Sequence, residues 1–564
     1  MTDTGSEIWT PCYSVEEADR ILTGPGSLLE IETRIIDGRV LKVWKNLWPS
    51  LRHLFLHSTK NHSDKTYIVY EKERYTFQET LEKAVKCATI LRDIYGVRKG
   101  DRVTICSHNC PNYLVVFWAC HLLGAVTALV NMLLPLEPLR HCITLTKCAL
   151  IILDTERADE IEPISAELRL ASGASAYLVL EDHEGKGHWK GMDIWSAVFS
   201  RYSTDPGDVL SDDPQISPED DAAIIFTSGT TGLPKGVLSS QRPFLTPIFD
   251  GEAVFDEASR SFRQLVQDLR KMMGALHGRK VVLTRSWNIN DTVELFQAEN
   301  IVRLTGTPSI IRELAESAVP GISMKSIGYG GTPLAASHLQ SFKKAFPLAT
   351  FVQLYGLTEM NAAAVDRIMM QGQIAGDGWV FPVGEVMIMK DGVKPAPGAV
   401  GEIWLRGPNV MKGYYDDQAA TDKVLTKDGW LMTGDLGRLD EDGYVYITDR
   451  IKDIVIRDGY SVDSVFVENA LYTEPGVLET AVVGVPDERA GELPVALVFL
   501  KHGYGLINEE KLMVTAKKLL PPYAVPVMII VHDSGFNHTD SGKIIKAELR
   551  VVAQREWSRR TRKE

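Results

Sequence analysis

A loop rich in hydroxyl groups and glycine follows an apolar run near the middle of the chain. Residues 222–226 read AAIIF and predict a strand that leads directly into this loop, which ends at a lysine. Small residues let backbone N–H groups and hydroxyls approach phosphate oxygens, and the lysine adds one mobile cation. The pattern indicates a phosphate-binding loop made of Thr227, Ser228, Gly229, Thr230, Thr231, Gly232 and Lys235.

This loop differs from the P-loop of common nucleotide hydrolases. Lys235 is followed by Gly236, whereas a P-loop requires Ser or Thr directly after its Gly-Lys pair. A surface turn is the alternative interpretation of a bare SGTTG segment, but the preceding strand and the following Pro-Lys-Gly favour a functional loop. An ordinary P-loop ATPase is therefore disfavoured.

Composition and charge exclude several classes of protein. The 564 residues carry a formal net charge of −13, so no overall positive field gathers nucleic acid or anionic lipid. The seven cysteines include no CxxC pair, which is typical of a reducing compartment. We therefore expect a cytoplasmic protein without a nucleic-acid partner. The terminal RRTRKE is not an SKL-type address, although a peroxisomal location stays open.

Alternating short apolar runs and amphipathic stretches must position the loop. Between about residues 65 and 153 this alternation has a βαβ rhythm, and it returns at intervals as far as residue 354. The apolar segment 113–136 is long enough to suggest a membrane span. His121, Gly124, Asn131 and Pro135 instead favour a buried helix ending near Gly124, followed by a strand through 128–130. We predict no transmembrane segment.

The character of the chain changes twice towards its C-terminus. From residue 383 short strands alternate with Gly/Asp turns, which predicts a mainly antiparallel β subdomain. After residue 449 a compact α+β unit is expected, with strands near 480–485 and 494–500 and a helix near 508–520. The predicted fold class is α/β, with a large multi-subdomain N-terminal body (1–449) and a small mobile C-terminal α+β domain (450–564).

The strand, the loop and the Pro-Lys-Gly after it resemble the adenylate-forming superfamily of acyl-CoA synthetases, 4-coumarate ligases, luciferases and peptide-synthetase adenylation domains. Five further family motifs follow in the same order: GGTPL at 330–334, YGLTE at 355–359, GWLMTGD at 429–435, DRIKD at 449–453 and TDSGKI at 539–544. The resemblance covers nearly the whole chain. It implies ATP-dependent activation of a carboxylic acid to an acyl-adenylate, followed by thioester formation with coenzyme A.

The resemblance also implies the residues that bind Mg-ATP. The turn formed by Gly330, Gly331 and Thr332 is expected to lie against the adenine, where glycine permits close approach of the backbone. In the next motif a tyrosine stacks on the adenine, a threonine touches phosphate and a glutamate holds magnesium, whose preferred ligands are oxygens. These positions are Tyr355, Gly356, Thr358 and Glu359, and Asp435 is expected to accept hydrogen bonds from both ribose hydroxyls.

Four residues of the last two motifs and the segment between them carry the implied catalysis. Lys543 is expected to bridge the substrate carboxylate and the α-phosphate, because a desolvated cation lowers the repulsion between two anions. Arg450 is expected to contact ribose or phosphate. Lys452 is expected to be the hinge about which the C-terminal domain turns between two half-reactions. Gly459 would then lie beside a channel for the thiol.

Two departures from the family pattern bear on the substrate and on the second step. The usual Pro-aromatic-His signature is absent, and the interval 241–277 is shortened, so that either the acyl pocket is remodelled or part of the domain is missing. The common GGEN segment appears here as DGYS, which places Asp458 beside Gly459. Acetate, medium-chain, aryl and hydroxylated acids all stay open as substrates.

Three functional hypotheses therefore remain. The first is an acyl-CoA ligase. The second is an enzyme that shares the ATP site but has another acceptor, either a stand-alone adenylation enzyme that loads a carrier-protein thiol or a luciferase-like oxidase. The third is a degenerate non-catalytic homologue that binds nucleotide, which the retained Glu359, Asp435 and Lys543 disfavour. The oligomeric state stays open.

Overall fold

The computed structural model describes residues 15–180, 187–202, 208–227, 233–254, 277–317, 323–331, 334, 336–365, 379–487, 489–538 and 543–561. Helices alternate with mostly parallel strands in the first part of the chain, antiparallel strands follow, and a smaller α+β unit completes the fold. The predicted fold class, a mixed α/β N-terminal body with a small C-terminal domain, is confirmed.

The first sheet has eight strands and carries the predicted phosphate loop between two of them. In spatial order its strands are β20 (Gly413–Tyr414), β11 (Gly236–Ser240), β10 (Asp221–Phe226), β6 (Val126–Leu129), β5 (Arg102–Cys106), β7 (Leu150–Asp154), β8 (Ala176–Leu180) and β9 (Asp193–Ile194). The strands from β10 to β9 run parallel, and β11 runs antiparallel to β10.

Both faces of this sheet are buried. Along β7, Leu150 and Ile152 enter one hydrophobic core, whereas Ile151 and Leu153 enter another on the opposite face. A parallel sheet needs such double cover, which explains why its strands are apolar throughout. Helix α3 (Phe77–Asp93) precedes the sheet, and the helices between its strands are α4 (Pro111–Leu123), α5 (Leu136–Thr146), α6 (Thr155–Ile161), α7 (Ser165–Ser172), α8 (Trp195–Arg201) and α9 (Asp208–Ser211), with a 3₁₀ turn at Glu162–Ile164.

The apolar segment 113–136 forms a buried helix and a strand, as predicted. Helix α4 ends at Gly124, whose φ of 72° is left-handed, and β6 starts at Val126. In the described ranges, no helix combines the length and the hydropathy that crossing a bilayer requires.

Ten further strands in the described part of the N-terminal body form three smaller sheets. Five of them form the sheet β13 (Arg303–Gly306), β14 (Ser326–Gly330), β15 (Thr350–Leu357), β16 (Met360–Val365) and β17 (Trp379–Val380). A three-stranded sheet has the order β12 (Val281–Leu283), β3 (Thr66–Tyr70) and β4 (Glu73–Thr76), and β1 (Ile31–Ile36) pairs with β2 (Arg39–Trp44). The associated helices are α1 (Val15–Leu22), α2 (Leu51–His62), α10 (Gln241–Val254), α11 (Ile289–Ala298), α12 (Pro308–Glu316) and α13 (Ala336–Ala345).

The predicted β subdomain is present as an antiparallel sheet. Its order is β18 (Glu385–Met389), β19 (Gly401–Arg406), β21 (Leu431–Leu439) and β22 (Val445–Arg450), and the short helix α14 (Gln418–Asp422) lies between β20 and β21. Strand β22 ends at Arg450, so the DRIKD motif begins inside this sheet and leaves it.

The C-terminal domain is built on its own sheet, which has helices on both sides. The strands are β23 (Val455–Arg457), β24 (Tyr460–Val462), β25 (Val477–Asp487), β26 (Gly491–Leu500) and β27 (Met528–His532), and the helices are α15 (Ser464–Leu471), α16 (Glu509–Leu519) and α17 (Lys546–Thr561). Alternate residues of β25, such as Val482 and Val483, enter two separate cores. The strands and the helix expected after residue 449 are therefore confirmed.

Candidate active site

The GGTPL motif ends strand β14 where the N-terminal body meets the C-terminal domain. A Cβ atom at Gly330 would overlap the carbonyl oxygen of Leu354 on the neighbouring strand β15. Gly331 has a φ of 85°, and a Cβ atom there would lie 3.7 Å from Cε of Lys543. The predicted catalytic lysine therefore lies against the predicted adenine turn. Thr332 lies outside the described residues.

The YGLTE motif forms the end of β15 and the turn that follows it. The register of β15 and β16 shifts at Gly356, which marks a bulge between Tyr355 and Leu357. Thr358 and Glu359 then form the two-residue turn that connects the two strands. The bulge and the turn determine where Tyr355 and Glu359 lie relative to the adjacent β subdomain.

A hydrogen bond and an ion pair connect Tyr355, Asp435 and Arg450 in one chain of contacts. The Tyr355 hydroxyl donates to Oδ2 of Asp435 at 2.8 Å, and Nε of Arg450 lies 2.9 Å from Oδ1 of the same carboxylate. Asp435 on β21 and Arg450 on β22 are direct cross-strand partners. Burial, reinforced by the Asp435 charge, raises the pKa of Tyr355 well above its usual value, so its hydroxyl stays a donor.

Glu359 is held by a residue that the sequence did not single out. The Tyr414 hydroxyl donates to Oε1 of Glu359 at 2.7 Å, and burial followed by the Glu359 charge raises the pKa of Tyr414. Nζ of Lys235 lies 4.8 Å from the centre of the Tyr414 ring. Tyr414 reaches this place because β20 pairs with β11, opposite Val237. No local sequence pattern predicts this long-range strand pairing, so the sequence analysis did not identify Tyr414.

The two ends of the predicted phosphate loop are tied together. The Thr227 N–H donates to the Lys235 carbonyl at 3.0 Å, and the Lys235 N–H donates to the Thr227 hydroxyl at 3.4 Å. The loop is thereby closed across the gap between β10 and β11. The predicted residues between its ends, Ser228, Gly229, Thr230, Thr231 and Gly232, lie outside the described residues.

The Lys543 ammonium lies in a largely buried and electrostatically mixed environment. Burial lowers its pKa to about 8, with a further contribution from Arg450 that Asp435 opposes. Glu359 is a weaker opposing influence on the same pKa. The structure therefore brings together residues from four of the predicted motifs around one lysine.

Lys452 and Gly459 lie at the start of the C-terminal domain. Lys452 occupies the turn after β22, where the Ile451 N–H donates to the Gly434 carbonyl at 2.9 Å. Burial lowers the pKa of Lys452, against the opposing charge of Asp453. Gly459, with a φ of 80°, is exposed at the tip of the β23–β24 hairpin. The structure thus leaves Gly459 on the surface rather than in the Lys543 cluster.

The clustered side chains suit a nucleotide triphosphate and its metal. Asp435 offers a buried carboxylate to hydroxyl groups, and Lys543 and Arg450 offer positive charge to phosphate oxygens. Glu359, oriented by Tyr414, offers the carboxylate oxygen that Mg²⁺ prefers when phosphates supply other ligands. The donor set therefore fits Mg-ATP bound where strand β15, the β subdomain and the C-terminal domain meet.

Family models match most of the chain. The model described as AMP-binding enzyme matches residues 55–415, and the model described as AMP-binding enzyme C-terminal domain matches residues 467–543. The first match alone covers more than half of the 564 residues.

Curated relatives are similar over nearly their whole length. A feruloyl-CoA synthase of Amycolatopsis sp is 30% identical over 492 residues, which cover 84% of this chain and 93% of that protein. The probable CoA ligase CCL5 of Humulus lupulus is 28% identical over 528 residues, which cover 88% of this chain and 92% of that protein.

Solved structures share the fold. The anthranilate CoA ligase AuaEII in complex with anthranoyl-AMP superimposes with a TM-score of 0.79 at 20% identity, covering 91% of this chain and 98% of that one. ATP-bound MatB from Rhodopseudomonas palustris gives a TM-score of 0.77 at 24% identity, covering 89% of this chain and 99% of that one.

Proposed function

The chain belongs to the AMP-binding enzyme family, and we propose that it uses Mg-ATP to convert a carboxylic acid into an acyl-adenylate, whose acyl group it transfers to coenzyme A. At the level of the family it is an AMP-forming acid–thiol ligase, with ATP, Mg²⁺ and coenzyme A as its co-substrates and metal. The relatives named as CoA ligases and synthases support this reaction.

One observation carries the proposal: Lys543 of the C-terminal domain lies beside Gly331 of the N-terminal body. A Cβ atom at Gly331 would be 3.7 Å from Cε of Lys543. The charges of Asp435 and Glu359 both act to raise the pKa of this lysine, against the larger effect of burial. A cation between a carboxylate and a phosphate reduces their repulsion, and it does so most effectively in a site that excludes water. This arrangement suits the first half-reaction.

In that half-reaction a carboxylate oxygen attacks the α-phosphorus of ATP in line, and the bond to pyrophosphate breaks. Lys543 holds the attacking carboxylate and the α-phosphate, and the loop 227–235 holds the outgoing phosphates. Magnesium, when bound, neutralises charge on the phosphates, and Glu359 and Thr358 are the residues proposed to position it and a phosphate oxygen.

The chain of Tyr355, Asp435 and Arg450 is proposed to hold the nucleoside. Asp435 would accept hydrogen bonds from the ribose hydroxyls, and Tyr355 would lie on the adenine beside Gly330, Gly331 and Thr332. Arg450 would contact ribose or phosphate. The hydrogen bond from Tyr355 and the ion pair with Arg450 support this role, because they orient the Asp435 carboxylate in advance.

The second half-reaction needs a different orientation of the C-terminal domain. We place the domain boundary between residues 449 and 450, where β22 leaves the β subdomain, and Lys452 two residues later is the proposed hinge. A turn about Lys452 would withdraw Lys543 and bring the hairpin with Gly459 towards the acyl-adenylate. The exposure of Gly459 supports this change, since the hairpin is free to be covered by another surface.

Alternative acceptors differ only in this second step. A carrier-protein thiol in place of coenzyme A would use the same ATP site, whereas a degenerate homologue would bind nucleotide without releasing pyrophosphate.

We also propose that the protein acts in the cytoplasm. The six cysteines in the described ranges are all free and buried, which suits a reducing compartment.

The direct test is pyrophosphate release from Mg-ATP with a panel of carboxylic acids, including ferulate, 4-coumarate and 2-succinylbenzoate, with and without coenzyme A. We expect release that depends on one class of acid, together with a thioester when coenzyme A is present. Release without thioester formation would favour a carrier-protein acceptor. ATP binding without release for any acid would reject the ligase in favour of the degenerate homologue.

A further inference from the structure

An arginine of the N-terminal body reaches across to the C-terminal domain. Arg312 on helix α12 donates from Nη1 to the Leu478 carbonyl at 2.9 Å, and its Nη2 lies 3.9 Å from Oε1 of Glu479. Both Leu478 and Glu479 belong to strand β25 of the C-terminal domain. The side chains of Arg312 and Glu479 are only 18% and 10% exposed, so solvent screens this pair less than a surface pair.

Glu479 also anchors the segment that precedes the catalytic lysine. Its Oε1 lies 3.1 Å from Nε2 of His538, and its Oε2 accepts the Phe536 N–H at 3.1 Å. Burial opposes ionisation of Glu479, but the hydrogen bonds from His538 and Phe536 outweigh it and hold the pKa of this carboxyl below its usual value. The Glu479 hydrogen bond in turn raises the pKa of His538.

His538 pairs with the residues that directly follow Lys543, and residues 537–538 together with 543–545 are named the Lys543 hairpin. It forms an antiparallel bridge with Ile544, and the Ile545 N–H donates to the Asn537 carbonyl at 2.9 Å. Lys543 directly precedes Ile544, so the lysine lies one residue from this bridge. Any force that holds His538 in place therefore also restricts the position of Lys543.

A neutral aromatic contact lies beside the same arginine. The rings of His338 on α13 and Tyr472 after α15 meet edge to face with their centres 4.8 Å apart. Burial, followed by the charges of Arg312 and Lys501, lowers the pKa of His338 to about 4, so this ring is uncharged near neutral pH. The contact adds apolar area between the two domains without competing for Glu479.

We propose that Arg312, Glu479 and His538 form an interdomain latch that holds the Lys543 hairpin in the orientation for acyl-adenylate formation and opens when the domain turns for thioester formation. This inference rests on the two-step function proposed above. These three are positioning residues: Arg312 fixes the strand, Glu479 connects strand and hairpin, and His538 transmits the contact to the base of the hairpin. A turn about Lys452 would separate Arg312 from Glu479, because they belong to different domains.

The contribution of His538 to the latch depends on whether its imidazole is protonated. The groups that face His538 are Glu479 from β25 and Arg312 from α12. The imidazolium form strengthens the link to Glu479, and this contribution is fully present below the ordinary pKa of histidine. It is lost as the pH rises through the raised pKa of His538. The base of the Lys543 hairpin should therefore loosen at alkaline pH, whereas the interdomain contact of Arg312 with Leu478 and Glu479 does not depend on this proton.

The test measures the distance between the domains rather than activity. Spin labels are attached to L348C and L506C, two positions that are 79% and 96% exposed in the N-terminal body and the C-terminal domain. Cys12 is replaced by Ser in the full-length chain, and the six described cysteines are buried. Double electron–electron resonance is then recorded with Mg-ATP and no acid.

We expect one dominant distance for the otherwise wild-type protein. R312L should shift the equilibrium away from that distance by roughly tenfold, as expected for losing one hydrogen bond from a charged donor. The matched control is R140L, because Arg140 pairs with Glu167 inside the N-terminal body and should leave the distribution unchanged. Identical distributions for the wild type and R312L would overturn the latch.

Two further variants separate positioning from simple loss of folding. H538A should leave the interdomain distance unchanged, because the partners of His538 lie in its own domain, but it should slow pyrophosphate release at every pH; H538K keeps a cation beside Glu479 and should restore release and extend it to alkaline pH. In half-reaction assays, R312L should slow pyrophosphate release but leave transfer from a preformed acyl-adenylate unchanged. Equal loss of both steps would reject a positioning role. Because the distance measurement needs no acid, an inactive protein with the expected distances would reject the proposed function and not the latch.

Discussion

Lys543 and Gly331 lie in contact range although they are 212 positions apart in the sequence: the Cβ atom that Gly331 lacks would be 3.7 Å from Cε of Lys543. Gly331 directly follows a strand of the N-terminal body, and Lys543 directly precedes Ile544, which is bridged to His538 in the C-terminal domain. The present orientation of the two domains is therefore the one in which the lysine reaches the proposed nucleotide site.

Replacing Lys543 by alanine should slow acyl-adenylate formation by about 100- to 1,000-fold, the typical effect of losing one preorganised charge-stabilising group. ATP should still bind, because Asp435 and Arg450 remain. Acid-dependent pyrophosphate release measures the first effect and equilibrium binding of ATP the second. Lys412→Ala is the control, since Lys412 pairs with Asp221. Unchanged pyrophosphate release in Lys543→Ala would contradict the assigned role.

The pH profile of the first half-reaction should reflect the same lysine. Burial lowers the pKa of Lys543 to about 8, so the charged form dominates at pH 7 and is lost as the pH rises through that value. We expect kcat/KM for acyl-adenylate formation to fall on the alkaline side near pH 8. Lys543→Arg keeps its charge at every accessible pH, so the residual activity of that variant should lack this alkaline fall. The same fall in both proteins would assign it to another group.

Tyr355→Phe should weaken ATP binding by about tenfold, because it removes one donor from the buried Asp435 carboxylate. Without this donor the Asp435 carboxylate is less well oriented to accept hydrogen bonds from the ribose. The Kd for ATP, measured by titration calorimetry, should therefore rise. Tyr446→Phe removes a comparable hydroxyl, which lies 3.1 Å from Asp440 outside the proposed site, and should not change that Kd. Equal weakening by both substitutions would argue against a nucleoside role for the Tyr355–Asp435 pair.

Lys452→Pro should separate the two half-reactions. Proline fixes φ and would restrict rotation after β22, so pyrophosphate release should continue while thioester formation stops. Lys452→Ala leaves the backbone free to turn and should support both steps. Rapid-quench assays of each half-reaction provide the measurement, and parallel loss of both steps in Lys452→Pro would refute the hinge.

Much of the fold could be predicted from local patterns. The apolar run at 150–154 and the amphipathic stretch from Phe77 carry their own periodicity, and the structure has β7 and α3 there. Gly124 predicted the end of α4, because few other residues adopt a φ of 72°. Such features depend on a few neighbouring residues, which the sequence presents directly.

The reason for one glycine was only partly predicted. Gly330 was expected to admit the adenine, but the structure adds a constraint from the fold itself, because a side chain there would overlap the Leu354 carbonyl of the adjacent strand. The parallel register of β14 and β15 creates that constraint. Neither strand contains the information alone.

The sequence by itself determined the family motifs, their order and the types of residue that could bind a nucleotide and a metal, because these depend on short segments and on side-chain chemistry. Tertiary structure alone decided that Tyr414 holds Glu359, that Lys543 reaches Gly331 and that Arg312 meets Glu479. Each of these pairs depends on strand pairing or domain orientation between distant segments. Such contacts are stabilised by packing between segments that are distant in the sequence. No local periodicity therefore predicts them.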